Sequence, residues 1–388
     1  MTTSHIPRIR IYHNGLWAKY KGAIFSKIHS LSSRYGVDTA FVQISETSMQ
    51  RAMLGAVDLS YHQYPFELLF NGPSDNIPRF RLVRALTANV FRNRNELVVI
   101  AGYHKIEYWA MLAACILLRR KRAVFVDSTT YDQEKSPLKE VAKAFFFRRC
   151  DGFFCYGVRS KEYVASYGID ERRIFFPCQA AALPHSYDAD AIRRYYAANQ
   201  QSGNHAPRFL YIGRLSREKG LDDLLDAFYA VLARLPEARL DVVGSGPLGE
   251  ELKQRAEQLG LSKQVAFVGA KSSEEIGDML IRSAALILPS HSEPWGLVVN
   301  EALSYGCPVV VSNVCGCVPE LVREGLTGYS FPSGDISALG DAMVAAAALS
   351  KDRPAVAARC LELIGQYTPE QAAVGILGGC VSIIKTPQ

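Results

Sequence analysis

The sequence lacks several features that mark whole classes of protein. Its longest apolar run, YWAMLAACILL at residues 108–118, has 11 residues, whereas a helix that crosses a bilayer needs about 20. We therefore expect a buried helix there and not a membrane span. The first residues, MTTSHIPRIRIYHNG, contain no apolar stretch of the kind that a signal peptide has, so we expect a protein that is not secreted.

The nine cysteines are scattered along the sequence, and no two of them form a C-x-x-C pair. Cys315 and Cys317 flank one glycine, but no second pair stands at the spacing of a zinc site. The Asp188-Ala189-Asp190 triplet lies in a polar stretch, and we interpret it as a solvated turn, not a metal site. We expect reduced thiols in a cytoplasmic protein.

Charge is unevenly distributed over the 388 residues. Residues 1–199 contain 28 Lys and Arg against 17 Asp and Glu, whereas residues 200–388 contain 16 against 21. A basic first half predicts contact with nucleic acid, an anionic membrane surface or an acidic substrate. Because no recognised nucleic-acid motif accompanies the charge, we expect no nucleic-acid partner. The length also exceeds what one hydrophobic core usually organises, which predicts two domains.

The second half alternates short apolar runs with amphipathic ones. RFLYIGRL, ARLDVVGSGP, VAFVGA, ALILPS, PVVVSN and TGYSFP have the character of buried strands. Helical patterns lie between them, as in LDDLLDAFYAVLARLP, where large apolar residues from Leu221 to Leu235 recur on one helical face. This alternation predicts a parallel sheet covered by helices on both faces, which is a doubly wound domain of Rossmann type.

The first half repeats the alternation less clearly, with strands expected at RIRIYHNG, DTAFVQIS, ELVVIAGY, AVFVDST, DGFFCYG and RRIFFPC. A polar stretch that closes with Gly, Asn and Pro predicts a linker over residues 186–206. The predicted domains are therefore residues 1–185 and 207–388, the last helix packing back on the first domain. The predicted fold class is α/β, with two Rossmann-like doubly wound domains facing a cleft that the carboxyl ends of both sheets line.

Two loops that follow predicted strands carry the residues of most chemical interest. In YIGRLSREKGL, Arg214 follows the strand and Lys219 stands five residues later. Two cations on one loop above a parallel sheet suit a diphosphate, although alone they are better explained as solvated charges. In HSEPWGLVVNEAL, Glu293 precedes a Pro-Trp-Gly turn and Glu301 lies in the helical run after it. The free N–H groups at that helix start predict an anion site.

Glycines mark two other loops. VVGSGP resembles half of a dinucleotide fingerprint, but no third glycine follows at the right spacing and the motif is not at the domain's first strand. We interpret Gly244 and Gly246 as positions where backbone approaches a ligand or turns tightly. In SNVCGCVPELV, Gly316 allows close packing near a ligand, and an ordinary connection explains it equally well.

These motifs together resemble a known family. YIGRLSREKG, VVGSGP, FVGA, LPSHSEPWGLVVNEAL and GCPVVVSNVCGCVPELVREGLTGYSF occur in this order, as in the retaining glycosyltransferases of family 4, which have the GT-B fold. The resemblance is close over residues 207–345 and loose over the first half. It implies a nucleotide-sugar donor, UDP- or GDP-linked, on the second domain and an acceptor mainly on the first. It also implies no metal requirement, and we expect no cofactor, since the nucleotide-sugar is a substrate.

Mapped onto this sequence, the resemblance implies that Arg214 and Lys219 neutralise the donor diphosphate. Glu301 would accept hydrogen bonds from the ribose hydroxyls, and Glu293 would bind the transferred sugar. The predicted donor-binding residues are Gly15, Arg214, Lys219, Gly244, Gly246, Gly269, Glu293, Gly296, Leu297, Val298 and Glu301. The predicted catalytic residues are Arg214, Lys219, Glu293 and His104.

The first half departs from the family pattern. Its first loop, HNGLWAKYKGA, is not glycine-rich, and Gly15 is our prediction for the donor-facing turn. His104 in VVIAGYHKIEYW is slightly displaced from the position of the family's histidine, and Asp127 is a second polar candidate. FFPCQAAAL stands where the family has an asparagine-glycine element. These departures leave the acceptor open.

Two basic segments of the first half predict a membrane-surface contact. PRFRLVRALTANVFRNRN and KEVAKAFFFRRC both mix Arg or Lys with large apolar residues, and such helices can lie in a lipid interface. The alternative is a core helix with a solvated basic edge. We therefore expect a peripheral-membrane hexosyltransferase of polysaccharide or glycoconjugate biosynthesis, with a glycan or lipid-linked glycan acceptor. A non-catalytic nucleotide-sugar-binding protein, or another GT-B enzyme such as a nucleotide-sugar epimerase, is the alternative.

Overall fold

The structure, a computed structural model, describes residues 6–52, 55–131, 136–199 and 206–387. The chain divides into two compact units. The first unit comprises Met1–Ala182 together with Thr368–Gln388, and the second comprises Leu183–Tyr367.

The first unit contains a seven-stranded parallel sheet among its described residues, in the order β3-β2-β1-β4-β5-β6-β7. Its strands are β1 (Arg8–Gly15), β2 (Asp38–Ser45), β3 (Phe66–Leu68), β4 (Leu97–Ile100), β5 (Lys121–Val126), β6 (Gly152–Cys155) and β7 (Ile174–Phe175). Its helices are α1 (Lys19–Leu31), α2 (Met49–Ala52), α3 (Arg79–Arg92), α4 (Ile106–Leu117), α5 (Pro137–Arg148), α6 (Val158–Ala165) and α15 (Pro369–Lys385).

The second unit contains a six-stranded parallel sheet in its described part, in the order β10-β9-β8-β11-β12-β13. Its strands are β8 (Arg208–Ile212), β9 (Arg239–Val243), β10 (Val265–Gly269), β11 (Ala285–Leu288), β12 (Val309–Ser312) and β13 (Gly328–Phe331). Its helices are α7 (Ala189–Ala198), α8 (Leu221–Leu232), α9 (Gly249–Gln258), α10 (Ser273–Arg282), α11 (Leu297–Ser304), α12 (Val318–Leu321), α13 (Ile336–Leu349) and α14 (Arg353–Ile364).

The predicted fold class of two Rossmann-like units is confirmed. The central strands β4, β6, β11 and β12 are buried along their whole length, as expected for strands that helices cover on both faces. Helix α8 buries the predicted apolar face, which includes Leu224, Leu225 and Phe228. The edge strand β3 was not predicted, because its three residues are only partly buried and give no periodic signal.

The predicted linker needs correction. Residues 186–206 include α7, which belongs to the second unit, and residues 200–205 lie outside the described part. The Asp188-Ala189-Asp190 triplet begins this helix and is not a solvated turn, since the Asp188 carboxylate accepts a hydrogen bond from the Asp190 amide at 2.8 Å. The composition misled because only Ile192 and Tyr196 of α7 are buried.

The last helix, α15, lies in the first unit, although residues 207–388 were otherwise assigned to the second domain. It packs against α1 and against the strands beneath. Two glycines make the contact close: a Cβ on Gly152 would lie 2.2 Å from Ile383, and one on Gly379 would lie 2.7 Å from the Phe175 ring. The longest apolar run lies in α4, and no described helix is long and apolar enough to cross a membrane.

Both sheets reverse their strand order at one point, between β1 and β4 in the first unit and between β8 and β11 in the second. In open α/β sheets of this kind, ligands bind outside the carboxyl ends of the strands where the order reverses. The loops that follow these four strands are therefore the expected ligand-binding loops.

Candidate functional site

An ion pair joins the loops that follow β8 and β11. Lys219 Nζ lies 2.5 Å from Glu293 Oε2, and the two side chains are 16% and 17% exposed. Lys219 ends a short 3-10 turn after β8, and Glu293 lies between β11 and α11. The fold thus brings together two predicted site residues that are 74 positions apart.

Arg214 lies on the same loop as Lys219, with its guanidinium exposed. Its Nη2 lies 3.8 Å from Glu218 Oε1, and its carbonyl accepts a hydrogen bond from the Tyr211 hydroxyl at 2.8 Å. Burial raises the pKa of Glu218. The Ser216 hydroxyl, which donates to Glu218 at 2.7 Å, and the nearby cations together lower it by more, so the net shift of this pKa is downward. The loop therefore presents a cation whose backbone is held in place.

The loop that carries Glu293 is anchored to the loop after β8. The backbone amide of His291 donates to the Glu218 carbonyl at 2.9 Å. Gly220, at φ +65°, passes so close to Pro289 that a Cβ would lie 2.2 Å from its carbonyl oxygen. Only glycine satisfies both the backbone angle and this approach. The spacing between the Lys219 and Glu293 backbones is therefore fixed by main-chain contacts.

A third loop, between β12 and α12, holds Glu293 from another direction. The Gly316 amide donates to the Glu293 carbonyl at 2.9 Å, and the Cys317 amide donates to the Trp295 carbonyl at 3.0 Å. A Cβ on Gly316 would lie 1.8 Å from the Pro294 carbonyl oxygen. The close packing expected at Gly316 is present, and its partner is the loop that positions Glu293.

Helix α11 begins at the predicted turn. Gly296 is its N-cap residue at φ +97°, and Leu297 and Val298 occupy its first two positions. The N–H groups of these positions have no acceptor inside a helix and attract negative charge. Glu301 follows one turn later and is partly exposed. The predicted anion-binding amides and both acids are thus on one short segment after β11.

Gly244 and Gly246 lie after β9, where they contact the neighbouring loop. A Cβ on Gly244, at φ +130°, would lie 1.9 Å from the Gly213 carbonyl oxygen, and one on Gly246 would lie 2.4 Å from that of Leu215. Their small size is therefore needed for loop packing in the first place. Gly269 ends β10 at φ +72° with open space around it, and its carbonyl accepts from the Gly244 amide at 2.9 Å.

The remaining two predicted residues, Gly15 and His104, lie in the first unit. Gly15 is the last residue of β1, and a Cβ there would lie 3.2 Å from the Ser45 carbonyl oxygen. The structure gives it a packing role at the end of β1. Whether it contacts a donor stays a prediction.

His104 follows β4 and lines a cavity of about 310 Å³ at the strand-order reversal of the first sheet. Asn14, Asp75, Arg79 and Glu107 also line this cavity, and Asn14 accepts a hydrogen bond from the Tyr108 hydroxyl. Desolvation lowers the pKa of the His104 imidazole, and the charge of Asp127 offsets part of that shift. The first unit therefore has a polar cavity of its own, with the His104 imidazole at its wall.

Comparison with known proteins identifies the second unit. Residues 196–357 match the family model described as glycosyl transferases group 1. The second unit is a group 1 glycosyltransferase domain. A glycogen synthase from Mycobacterium tuberculosis is 36% identical over 154 residues, which are 40% of this chain and 37% of the relative. The chain is thus matched over little more than a third of the length of that curated relative.

Solved structures resemble the whole chain. The Anabaena protein HepE in complex with UDP and glucose has a TM-score of 0.70 at 16% identity, over 97% of this chain and 100% of that one. A structure described as a putative UDP-N-acetylglucosamine 2-epimerase from Listeria monocytogenes has a TM-score of 0.63 at 13% identity, over 99% of this chain and 98% of that one. At these identities the likeness shows the fold, which both kinds of protein share with the chain.

One buried cation escaped the sequence reasoning. Lys21 in α1 is 1% exposed, and its Nζ has no hydrogen-bond partner within the described part of the chain. The ammonium lies 4.7 Å from the Phe125 ring centroid and 4.6 Å from that of Tyr156. Burial lowers its pKa to about 8. A signal existed, because Lys21 shares the helical spacing of the buried residues Ile24, Phe25 and Ile28.

No group of three or more potential metal ligands among His, Cys, Asp and Glu occurs in the described residues. All nine cysteines are buried and none is in a disulfide. Burial raises the pKa of the Cys178 thiol to about 12.

Proposed function

We propose that this protein is a retaining glycosyltransferase that moves a hexose-type sugar from a UDP- or GDP-linked donor to a glycan or lipid-linked glycan. The observation that carries the proposal is the meeting of Lys219 with Glu293 at the strand-order reversal of a group 1 glycosyltransferase domain. Arg214 and the start of α11 lie on the same two loops. Cations and free helix amides beside a carboxylate suit a ligand that joins a diphosphate to a sugar.

Each group has a defined role in donor binding. Arg214, Lys219 and the amides of Leu297 and Val298 neutralise the diphosphate. Glu293 accepts hydrogen bonds from hydroxyls of the transferred sugar, and Glu301 accepts them from the ribose. Because Lys219 is bound to Glu293 at 2.5 Å, the cation that binds the diphosphate also fixes the carboxylate that positions the sugar.

The reaction follows from where charge develops. The bond between the anomeric carbon and the phosphate oxygen breaks while the acceptor oxygen bonds the same face of that carbon, so the configuration is retained. The acceptor's proton passes to the leaving phosphate oxygen. Negative charge grows on the diphosphate, where Arg214, Lys219 and the start of α11 stabilise it without reorganising. No protein base is required, and we expect no metal ion to be required.

The acceptor binds the first unit. The cavity beside His104 offers carboxylates, amide and imidazole groups, which suit a hydroxyl-rich acceptor. His104 donates or accepts a hydrogen bond at the reacting acceptor hydroxyl. The basic first half suits work at the inner face of a membrane, on an acceptor carried by lipid.

The first test is a thermal-shift screen of the wild type with UDP, GDP, ADP and dTDP. A nucleotide at 100 times its dissociation constant adds about 2.7 kcal/mol to the free energy of unfolding. We expect one of the four nucleotides to stabilise the wild type. Arg214→Ala should remove this stabilisation, and Arg217→Ala should keep it. Arg217 is the matched control, because it is an exposed arginine three positions further along the same loop. A folded wild type that responds to none of the four would overturn the donor assignment.

A second test separates transfer from its alternatives. The selected nucleotide, linked to glucose, galactose, mannose or N-acetylglucosamine, is incubated with the protein and candidate acceptors. Transfer requires nucleotide release that depends on the acceptor. An epimerase would change the sugar without an acceptor, and a binding protein would release no nucleotide under any condition.

A further inference from the structure

The outer surface of α5 carries a row of exposed apolar side chains. Leu138, Val141 and Phe145 are 81%, 69% and 51% exposed, and their spacing places them along one helical face. Trp109 of α4 stacks on Phe145, with ring centroids 6.2 Å apart and an interplanar angle of 7°. We call Leu138, Val141, Phe145 and Trp109 the apolar strip.

Other residues of α5 form its core-facing side. The helix buries Phe146 and Phe147 completely, so the apolar strip is not part of its contact with the core. Three further large apolar residues on one solvent-facing row are more than the scattered single exposures that are normal on a protein surface. The strip is therefore an unfilled contact surface.

A basic surface begins where the strip ends. Two cavities of about 430 and 360 Å³ lie at the amino ends of β4 to β7 and share Lys121. Their linings contain nine cations and two carboxylates, Glu96 and Asp151. The cations, which we call the basic edge, are Arg94, Arg119, Arg120, Lys121, Arg122, Arg148, Arg149, Arg172 and Arg173.

Some of these cations have structural work. Lys121 donates to the Ile383 carbonyl at the end of α15 at 2.5 Å, Arg120 donates to the Val90 carbonyl at the end of α3 at 2.5 Å, and Arg173 donates to the Cys150 carbonyl. These contacts stabilise helix ends. Arg148 and Arg149 differ, because both are exposed at the end of α5. The Arg149 guanidinium lies 5.1 Å from the Phe145 ring centroid, so the basic edge and the apolar strip are continuous.

We propose that the apolar strip and the basic edge form one docking surface for an anionic lipid bilayer. Apolar side chains enter the boundary between headgroups and acyl chains, while arginines bind the phosphates above it. The positive charge of the basic edge is complementary to a bilayer that contains anionic lipids, and not to a neutral bilayer. A nucleic acid would use the cations but leave the strip exposed to water, whereas a bilayer satisfies both.

The docking surface also indicates where a lipid-linked acceptor would be held, a step that rests on the proposed function. Strands β4, β5 and β6 are parallel. The helices that connect them, α4 and α5, therefore run back across the sheet from its carboxyl edge to its amino edge. Ile106, at the start of α4, is exposed and lines the cavity beside His104. A bilayer along these helices would hold a lipid-linked acceptor beside that cavity.

The test uses the full chain and vesicles, without nucleotide or acceptor, so its failure is distinct from failure of the donor assignment. Sedimentation is measured with phosphatidylcholine vesicles and with vesicles that contain 30% phosphatidylglycerol. We expect binding only to the anionic vesicles, weakened by 0.5 M NaCl. Arg148→Ala with Arg149→Ala should reduce the partition coefficient about tenfold or more. Leu138→Ser with Val141→Ser should have a similar effect.

A matched control pair is Leu326→Ser with Lys351→Ala, an exposed apolar and an exposed basic residue of the second unit, which should bind as the wild type does. Brominated lipids should quench Trp109 fluorescence, and Trp109→Phe should remove that part of the quenching. Absence of wild-type binding, or no loss with the serine variant, would overturn the proposal. Equal binding of a single-stranded RNA by the wild type and the serine variant would assign the basic edge to nucleic acid instead.

Discussion

Lys219 and Glu293, which come from loops after two adjacent parallel strands, form a largely buried ion pair with 2.5 Å between Nζ and Oε2. The pair couples the predicted diphosphate-binding cation to the predicted sugar-binding carboxylate. It also makes each residue's contribution depend on the other, because removing either one leaves an uncompensated charge in a poorly solvated place.

We expect this dependence to be measurable in the free energy of unfolding. Lys219→Met and Glu293→Gln should each cost about 2 kcal/mol, and the double variant should cost less than the sum by at least about 1 kcal/mol. Urea denaturation of the four proteins gives the coupling. The exposed pair Lys253 and Glu250, at 2.7 Å, is the control and should couple by less than about 0.5 kcal/mol. Equal coupling in both pairs would contradict the role assigned to burial.

Gly316→Ala should disturb the loop that positions Glu293. Its Cβ would lie 1.8 Å from the Pro294 carbonyl oxygen, so backbone must shift. We expect a loss of about 1–3 kcal/mol in the free energy of unfolding, together with weaker nucleotide stabilisation in the thermal-shift assay. Gly340→Ala in α13 is the control, since a Cβ there meets only ordinary contacts and alanine favours a helix. Unchanged nucleotide response in Gly316→Ala would argue against this positioning role.

Lys21 should make stability rise with pH. Burial lowers its pKa to about 8 in the folded protein from an ordinary 10.5, so the unfolded state binds more protons between these values. Raising the pH from 7 to 9.5 should therefore stabilise the wild type relative to Lys21→Met by about 2 kcal/mol. Urea denaturation of both proteins at both pH values measures the difference, and titrations common to both cancel. A difference that stays constant, or falls, would mean that Lys21 is not buried as a charge.

His104→Ala should impair transfer without affecting nucleotide binding. Loss of one hydrogen bond at the acceptor hydroxyl should lower kcat/KM for the acceptor about 10- to 100-fold. The thermal-shift response should stay that of the wild type, because the proposed nucleotide site lies on the second unit. His185→Ala, an exposed histidine of that unit, is the control for both readouts. Parallel loss of nucleotide response and transfer in His104→Ala would instead indicate a folding defect.

The pH profile of the wild type offers a companion check on His104. Since desolvation lowers the pKa of the imidazole below its ordinary value of 6.5, more than half of it should be neutral at pH 6.5 and above. Transfer should therefore lose less than half of its rate through this group between pH 8 and 6.5. A larger loss in that range that disappears in His104→Gln would contradict the assignment.

Local patterns in the sequence determined the Rossmann-like character of both units and the loops that carry the candidate donor site. Strand and helix periodicities are visible within a few residues, so β8 to β13 and the helices between them could be read directly. Pattern reading failed where burial is sparse or the element is short, as in α7 and β3. The acceptor side was the least readable, because the first half departs from the family's motifs.

Only the tertiary structure decided which groups meet. The parallel pairing of β8 with β11 sets Lys219 beside Glu293, and the loop after β12 then holds Glu293 through Gly316. Likewise, the stacking of Trp109 on Phe145 and the gathering of cations at the amino ends of four strands depend on which helices and strands are neighbours. Sequence periodicity fixes the face that a residue occupies, but contacts between distant segments depend on strand order and register, which are properties of the folded sheet.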